Sequence, residues 1–196
     1  MITSTQARKT ARLPWNLPNT LTWARIAAIP LIVLLFYMPY PWADPAAGLL
    51  FAAAGITDSL DGFFARRWGQ ISRLGAFLDP VADKLIVAVA LVLLVSKDPR
   101  PLIVLTAAVI IGREITISAL REWMAEIGAR RKVAVSQLGK YKTILQITGL
   151  SFMLYRWRLF GVQTYPIGVW LTVIAAAATL VSMVAYLRAA WPELKR

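Results

Sequence analysis

Residues 167–187 run for 21 consecutive positions without a charged side chain. That run decides the solvent in which the chain folds, because a helix needs roughly 20 apolar residues to cross the hydrocarbon core of a bilayer. Apolar stretches of similar length recur upstream. The chain is 58% hydrophobic, with a mean hydropathy of +0.59, too apolar for a soluble domain. Lipid offers the backbone no hydrogen bonds, so each crossing must satisfy its own. The expected fold class is therefore all-α: a polytopic membrane protein, a six-transmembrane-helix bundle with an N-terminal interfacial segment.

The spans are expected from Asn16 to about Met38, Asp44 to near Trp68, about Asp79 to Lys97, and Pro101 to Ile127. A fifth follows the loop 128–136 and reaches about Tyr155, and the last is Ile167 to Leu187. Residues 1–15 read as a basic interfacial segment, 16–190 as the helical domain and 191–196 as a cytoplasmic tail. No cleavable signal is expected, since the first 15 residues are polar and basic and the run after them is long enough to span. The formal charge is +12, from 22 Lys and Arg against 10 Asp and Glu. In such a chain that excess reports topology and anionic membrane lipids rather than nucleic acid. Only Lys97, Arg100, Arg156 and Arg158 fall in turns on the side away from the termini, so the positive-inside rule puts both termini in the cytoplasm.

Four of the ten acids lie between Asp58 and Asp83. Asp58, Asp61, Gly62 and Ala65 repeat at i, i+3, i+4 and i+7, one face of a helix. Gly75, Asp79 and Asp83 step by four, one face of another. Two such helices would aim four carboxylates at one point, at a cost that bound cations offset. Without His or Cys, zinc and copper lack their usual ligands. Oxygen donors select Mg2+ or Mn2+, and four carboxylates suffice to bridge two ions. Gly62 and Ala65 leave room on that face for a ligand's phosphates, with Arg66 beside them. The plain alternative is helix capping: Asp79-Pro80 has the form of an N-cap followed by Pro at the first helical position. Capping accounts for one acid, not four on matched faces.

Three further features bear on function. Arg25 lies inside the first span, with Asn19 and Thr22 on a similar face, and is expected to face a polar cavity. Arg113 and Arg121 are eight residues apart and can share one face. Lys140 and Lys142 open the fifth helix. All lie toward the cytoplasmic end, with the acids. Carboxylates, metals and several cations at a membrane surface suit phosphoryl transfer, in which one carboxylate accepts a proton from an attacking hydroxyl.

The run Asp58-x2-Asp61-Gly62-x2-Ala65-Arg66-x8-Gly75-x3-Asp79-x3-Asp83 resembles the signature of the CDP-alcohol phosphatidyltransferase family at every defined position. The resemblance implies transfer of a phosphatidyl-type group from a CDP-linked lipid to an alcohol, with release of CMP. It implies Asp58, Asp61 and Asp79 as metal ligands and Asp83 as catalytic base, also touching a metal. It implies Gly62, Ala65, Arg66 and Gly75 as the lining of the CDP-diacylglycerol site, with Asn19 and Thr22 closing over the nucleotide. NLPNTLTWARI, GREITISALREWMAEIG and VAVSQLGKYKT are similar to the bacterial branch whose acceptor is sn-glycerol 3-phosphate. That implies the cytoplasmic (inner) membrane, a homodimer, and Arg113, Arg121, Lys140 and Lys142 as a clamp for the acceptor phosphate. The motif leaves other acceptors open: inositol phosphate, serine or phosphatidylglycerol. Readings from other classes are a cation or proton transporter, whose acids should sit nearer the midplane, and a non-catalytic lipid-binding scaffold.

Overall fold

The structure is a computed structural model. It describes residues 17–68, 73–129 and 137–194, with side chains described for 20–57, 77–129 and 141–192. The basic segment 1–15, the loop cations Arg130, Arg131 and Lys132, and residues 195–196 lie outside the described residues.

Six α-helices appear among the described residues: α1 (Leu17–Tyr37), α2 (Ala43–Trp68), α3 (Arg73–Lys97), α4 (Pro101–Glu126), α5 (Gln137–Tyr155) and α6 (Thr164–Leu194). Three of them are long and apolar enough to cross a membrane: Thr20–Tyr37, Pro101–Glu126 and Thr164–Pro192. Among the residues whose side chains are described, α2 contributes the apolar stretch Ala43–Thr57. Pro30 lies inside α1, as bundle helices tolerate.

Two boundaries differ from expectation. The third helix begins at Arg73, so Asp79 is not its N-cap and Pro80 lies within it. The Asp-Pro pair mimics a helix start, but its acid is used in a contact with α1. The last helix continues to Leu194, past Arg188 and through Pro192, into the stretch read as a tail. Between α5 and α6 the turn contains a two-stranded hairpin, β1 (Arg158–Leu159) and β2 (Val162–Gln163), with Arg158 opposite Gln163. Phe160 and Gly161 at its tip both have positive φ, as a two-residue turn between twisted strands requires.

The core collects Ile32 and Phe36 of α1, Phe51 of α2, Leu91 and Leu94 of α3, Ile110 of α4, and Leu150 and Leu154 of α5. Around it, large apolar side chains face outward, among them Leu34, Leu49, Leu105, Ile115, Trp170 and Val181. An apolar exterior on this scale marks a lipid-facing surface. Helix association in lipid relies on close packing at small residues. Gly149 of α5 lies so near α6 that a Cβ there would be 2.5 Å from Thr172 Oγ1 and 2.9 Å from the Gly168 carbonyl oxygen.

The helices alternate in direction, so charges sort to two ends. At one end Lys97 pairs with Asp44 at 3.2 Å and lies 4.3 Å from the Phe36 ring centroid. Asp98 accepts hydrogen bonds from Arg100 Nη2 at 2.6 Å and from the Tyr165 hydroxyl at 2.5 Å. Arg156 lies over Phe36 and Tyr165. The four cations expected away from the termini therefore share this end, with Tyr40, Trp42, Trp157 and Phe160 exposed beside them. Asp79 and Asp83, with Thr22 and Arg25, lie at the other end.

Candidate active site

The first helix organises the acids. Thr22 and Arg25 are three residues apart and share a face of α1. The Thr22 hydroxyl donates to the Asp79 carboxylate. Arg25 Nη1 donates to Asp83 Oδ1 at 2.5 Å. Asp79 and Asp83 are one turn apart on α3, so matched spacing on two helices gives two matched contacts. Arg25 is only 3% exposed, and a buried guanidinium persists only with such a partner. Arg25 does line a cavity, as expected, although most of the cavity wall is apolar. That cavity, of about 340 Å³, is lined by Arg25, Asp79, Asp83, Lys84, Gln146 and Gly55, among others.

A second cavity of about 590 Å³ lies beside it, toward α4, α5 and α6. Arg113, Arg121 and Lys142 line it together; spacing relates only the first two, which share α4, whereas Lys142 comes from α5. Arg113 is 8% and Lys142 7% exposed, whereas Arg121 is exposed. Arg113 Nη1 donates to Glu114. Arg113 Nε and Lys142 Nζ are buried with no hydrogen-bond partner among the described residues. A buried ammonium without a partner is costly, so although Glu114 and Glu122 also line this cavity, its unmet donors suit an anion. A third cavity, about 310 Å³ and almost wholly apolar, opens between α3 and α4 along Val81, Leu85, Ile111 and Ile115.

Asp58, Asp61, Gly62, Ala65 and Arg66 fall on α2, Gly75 on α3, Asn19 on α1 and Lys140 on α5. Their side chains lie outside the described residues. Among the described residues no three acidic side chains form a metal-binding group. The part in view, Asp79 and Asp83 on one cavity wall, is a hard-oxygen donor set that fits Mg2+ or Mn2+ and suits no softer metal.

Sequence reasoning gave no role to Lys84, Glu114, Thr143 or Gln146, which line these cavities. Gln146 is one turn beyond Lys142, a spacing that would have flagged it. Lys84 and Glu114 gain meaning only from the packing of α3 against α4.

The profile of the family CDP-alcohol phosphatidyltransferase matches residues 15–187. The chain is 48% identical over 182 residues to the CDP-diacylglycerol--glycerol-3-phosphate 3-phosphatidyltransferase of Escherichia coli (strain K12), covering 93% of this chain and 98% of that one. The protein of the same description from Shigella flexneri serotype 5b (strain 8401) matches with the same identity and coverage.

Proposed function

The chain belongs to the CDP-alcohol phosphatidyltransferase family, and from that premise we propose that it transfers the phosphatidyl group of CDP-diacylglycerol to sn-glycerol 3-phosphate. The products are phosphatidylglycerophosphate and CMP. The observation that carries this reading is the 48% identity along 98% of relatives described by that reaction. The pairing of an acid cavity with an adjoining cation cavity supports it, since a phosphorylated acceptor needs cations that an uncharged alcohol does not.

In this reading the acceptor's phosphate lies against Arg113, Arg121, Lys140 and Lys142. Its primary hydroxyl attacks the lipid-side phosphorus of CDP-diacylglycerol. Asp83 takes the hydroxyl proton, a new P–O bond forms, and the bond to CMP breaks with CMP leaving as the anion. Arg25 fixes the Asp83 carboxylate and Thr22 fixes Asp79, so both acids are held before substrate arrives. Asp58, Asp61, Asp79 and Asp83 would hold one or two Mg2+ or Mn2+ ions, which when bound offset the charge that builds on the phosphates. Gly62, Ala65, Arg66 and Gly75 line the CDP end, with Asn19 and Thr22 over the nucleotide. The fuller architecture we propose is a six-span homodimer in the bacterial inner membrane, residues 16–190 forming the catalytic domain and both termini and the site facing the cytoplasm.

The test is CMP release by purified protein with CDP-diacylglycerol and a panel of acceptors: glycerol 3-phosphate, inositol phosphate, serine and phosphatidylglycerol. Turnover is expected with glycerol 3-phosphate above the others. Equal or better turnover with inositol phosphate overturns the acceptor, and metal-dependent ion flux without CMP release overturns the enzyme.

A further inference from the structure

Among the described residues, Pro80, Lys84 and Glu114 line all three cavities. Glu114 is therefore a carboxylate at the meeting point of the acid cavity, the cation cavity and the apolar groove. Its side chain is partly exposed to that space, and it accepts a hydrogen bond from Arg113. A carboxylate beside an anion site is a liability. At a separation of about 5–6 Å and an effective dielectric of about 20, two unit negative charges repel by about 3 kcal/mol. Simple neutralisation of Arg113 does not explain its place, because the neighbouring Lys142 ammonium and Arg113 Nε remain without partners among the described residues.

We propose that Glu114 is a specificity-determining residue, which accepts a hydrogen bond from the acceptor's secondary hydroxyl while pinning Arg113. This rests on the reading of the cation cavity as the acceptor-phosphate site. Glu114 lines both cavities, so an acceptor reaching from the cation cavity, where its phosphate lies, to Asp83, where its primary hydroxyl reacts, carries its middle carbon past Glu114. A carboxylate there welcomes a neutral hydroxyl and repels an anionic substituent. The favoured class is thus a polyol phosphate with a free hydroxyl on the central carbon. Acceptors with a carboxylate at that carbon are rejected.

The experiment compares glycerol 3-phosphate with 1,3-propanediol monophosphate, which lacks only the secondary hydroxyl, in the wild-type chain, E114Q and E114A. CMP release from CDP-diacylglycerol is the readout. In the wild type the deoxy acceptor loses on the order of 10- to 100-fold in kcat/KM. In E114A the two acceptors converge to within about 2-fold, as a double-mutant cycle requires when the pair interacts directly. E114Q keeps part of the discrimination, because its amide oxygen still accepts, and serves as the deciding variant if E114A does not fold. The KM for CDP-diacylglycerol stays within about 2-fold of wild type in both variants, which a general loss of packing would not allow. Full discrimination retained in E114A, or equal turnover of both acceptors by the wild type, overturns the proposal alone. If the wild type turns over neither acceptor while another alcohol serves, the acceptor reading falls and takes this proposal with it.

Discussion

Lys142 offers a prediction with two signs. Its ammonium is buried on α5, faces the cation cavity and has no hydrogen-bond partner among the described residues. Burying an unpaired charge costs up to several kcal/mol. The cavity is polar and admits water, so a smaller relief of about 1–3 kcal/mol is expected on removing the charge. Lys142→Met keeps an unbranched apolar stem of nearly the same length and removes the ammonium. For a chain of this size 1 kcal/mol moves Tm by about 2–4 °C, so the variant should melt higher than wild type without substrate. The acceptor phosphate, however, loses a charge-assisted contact of about 1.5–3 kcal/mol, which at 1.4 kcal/mol per decade is roughly a 10- to 150-fold rise in KM for glycerol 3-phosphate. Thermal unfolding in detergent, with and without the acceptor, reads both effects. The wild type gains stability as acceptor saturates the site, about 2.7 kcal/mol at a hundred times Kd, and the variant at the same concentration gains far less. A variant that melts lower and keeps its KM would refute the reasoning, for it would mean that Lys142 serves packing and not the anion.

Three other outcomes are expected. Asp83→Asn should lower kcat by at least about 100-fold while CDP-diacylglycerol still binds; retained turnover contradicts its role as base. Gly149→Ala drives a Cβ to 2.5 Å from Thr172 Oγ1 and should lower stability by about 1–3 kcal/mol through overpacking between α5 and α6, checked by unfolding in detergent. At the opposite end, the Arg100 guanidinium, with help from the Tyr165 hydroxyl, holds the Asp98 carboxyl well below the usual carboxylate range. A depressed carboxylate stabilises the fold above its unfolded pKa of about 3.9 and loses that contribution as pH falls through its folded value. The Tm gap between wild type and Asp98→Asn should thus be constant from about pH 7 to pH 5 and shrink below about pH 4; a gap still full at about pH 3 denies that the charge matters.

Which features the sequence disclosed follows from where their causes lie. Helix positions were legible because each is written locally, in an apolar run bounded by turn residues: α1, α2, α4 and α5 begin and end within about two residues of expectation. The start of α3 was misplaced because Asp79-Pro80 carries a local capping signal, whereas the acid's partner, Thr22, comes from another helix. The hairpin 158–163 was read as a plain turn, because only Gly161 signals a positive φ there, and Phe160, which also adopts one, is a residue type that rarely does. That Arg113 and Arg121 line one cavity was legible because helical period sets which residues of one helix share a face; that Lys142 joins them depends on how α5 packs, which no period encodes. The junction at Lys84 and Glu114 was not, because no periodicity encodes a three-helix meeting point.

The acids that define the motif sit on α2 and α3, yet the side chains that hold Asp79 and Asp83 come from α1. This division has a physical reason. Asp79 and Asp83, one turn apart on α3, repel one another when no cation is near. A countercharge from a different helix relieves that repulsion and ties α3 to α1. Arg25 supplies a permanent countercharge to Asp83, and because the guanidinium is buried at 3% exposure salt screens it less than it would a surface cation. Thr22 supplies Asp79 with a donor that carries no charge, leaving that carboxylate's negative charge available to a cation. The first helix therefore keeps the acid cavity assembled between cycles, and what arrives with substrate need only complete a site whose walls are already in place.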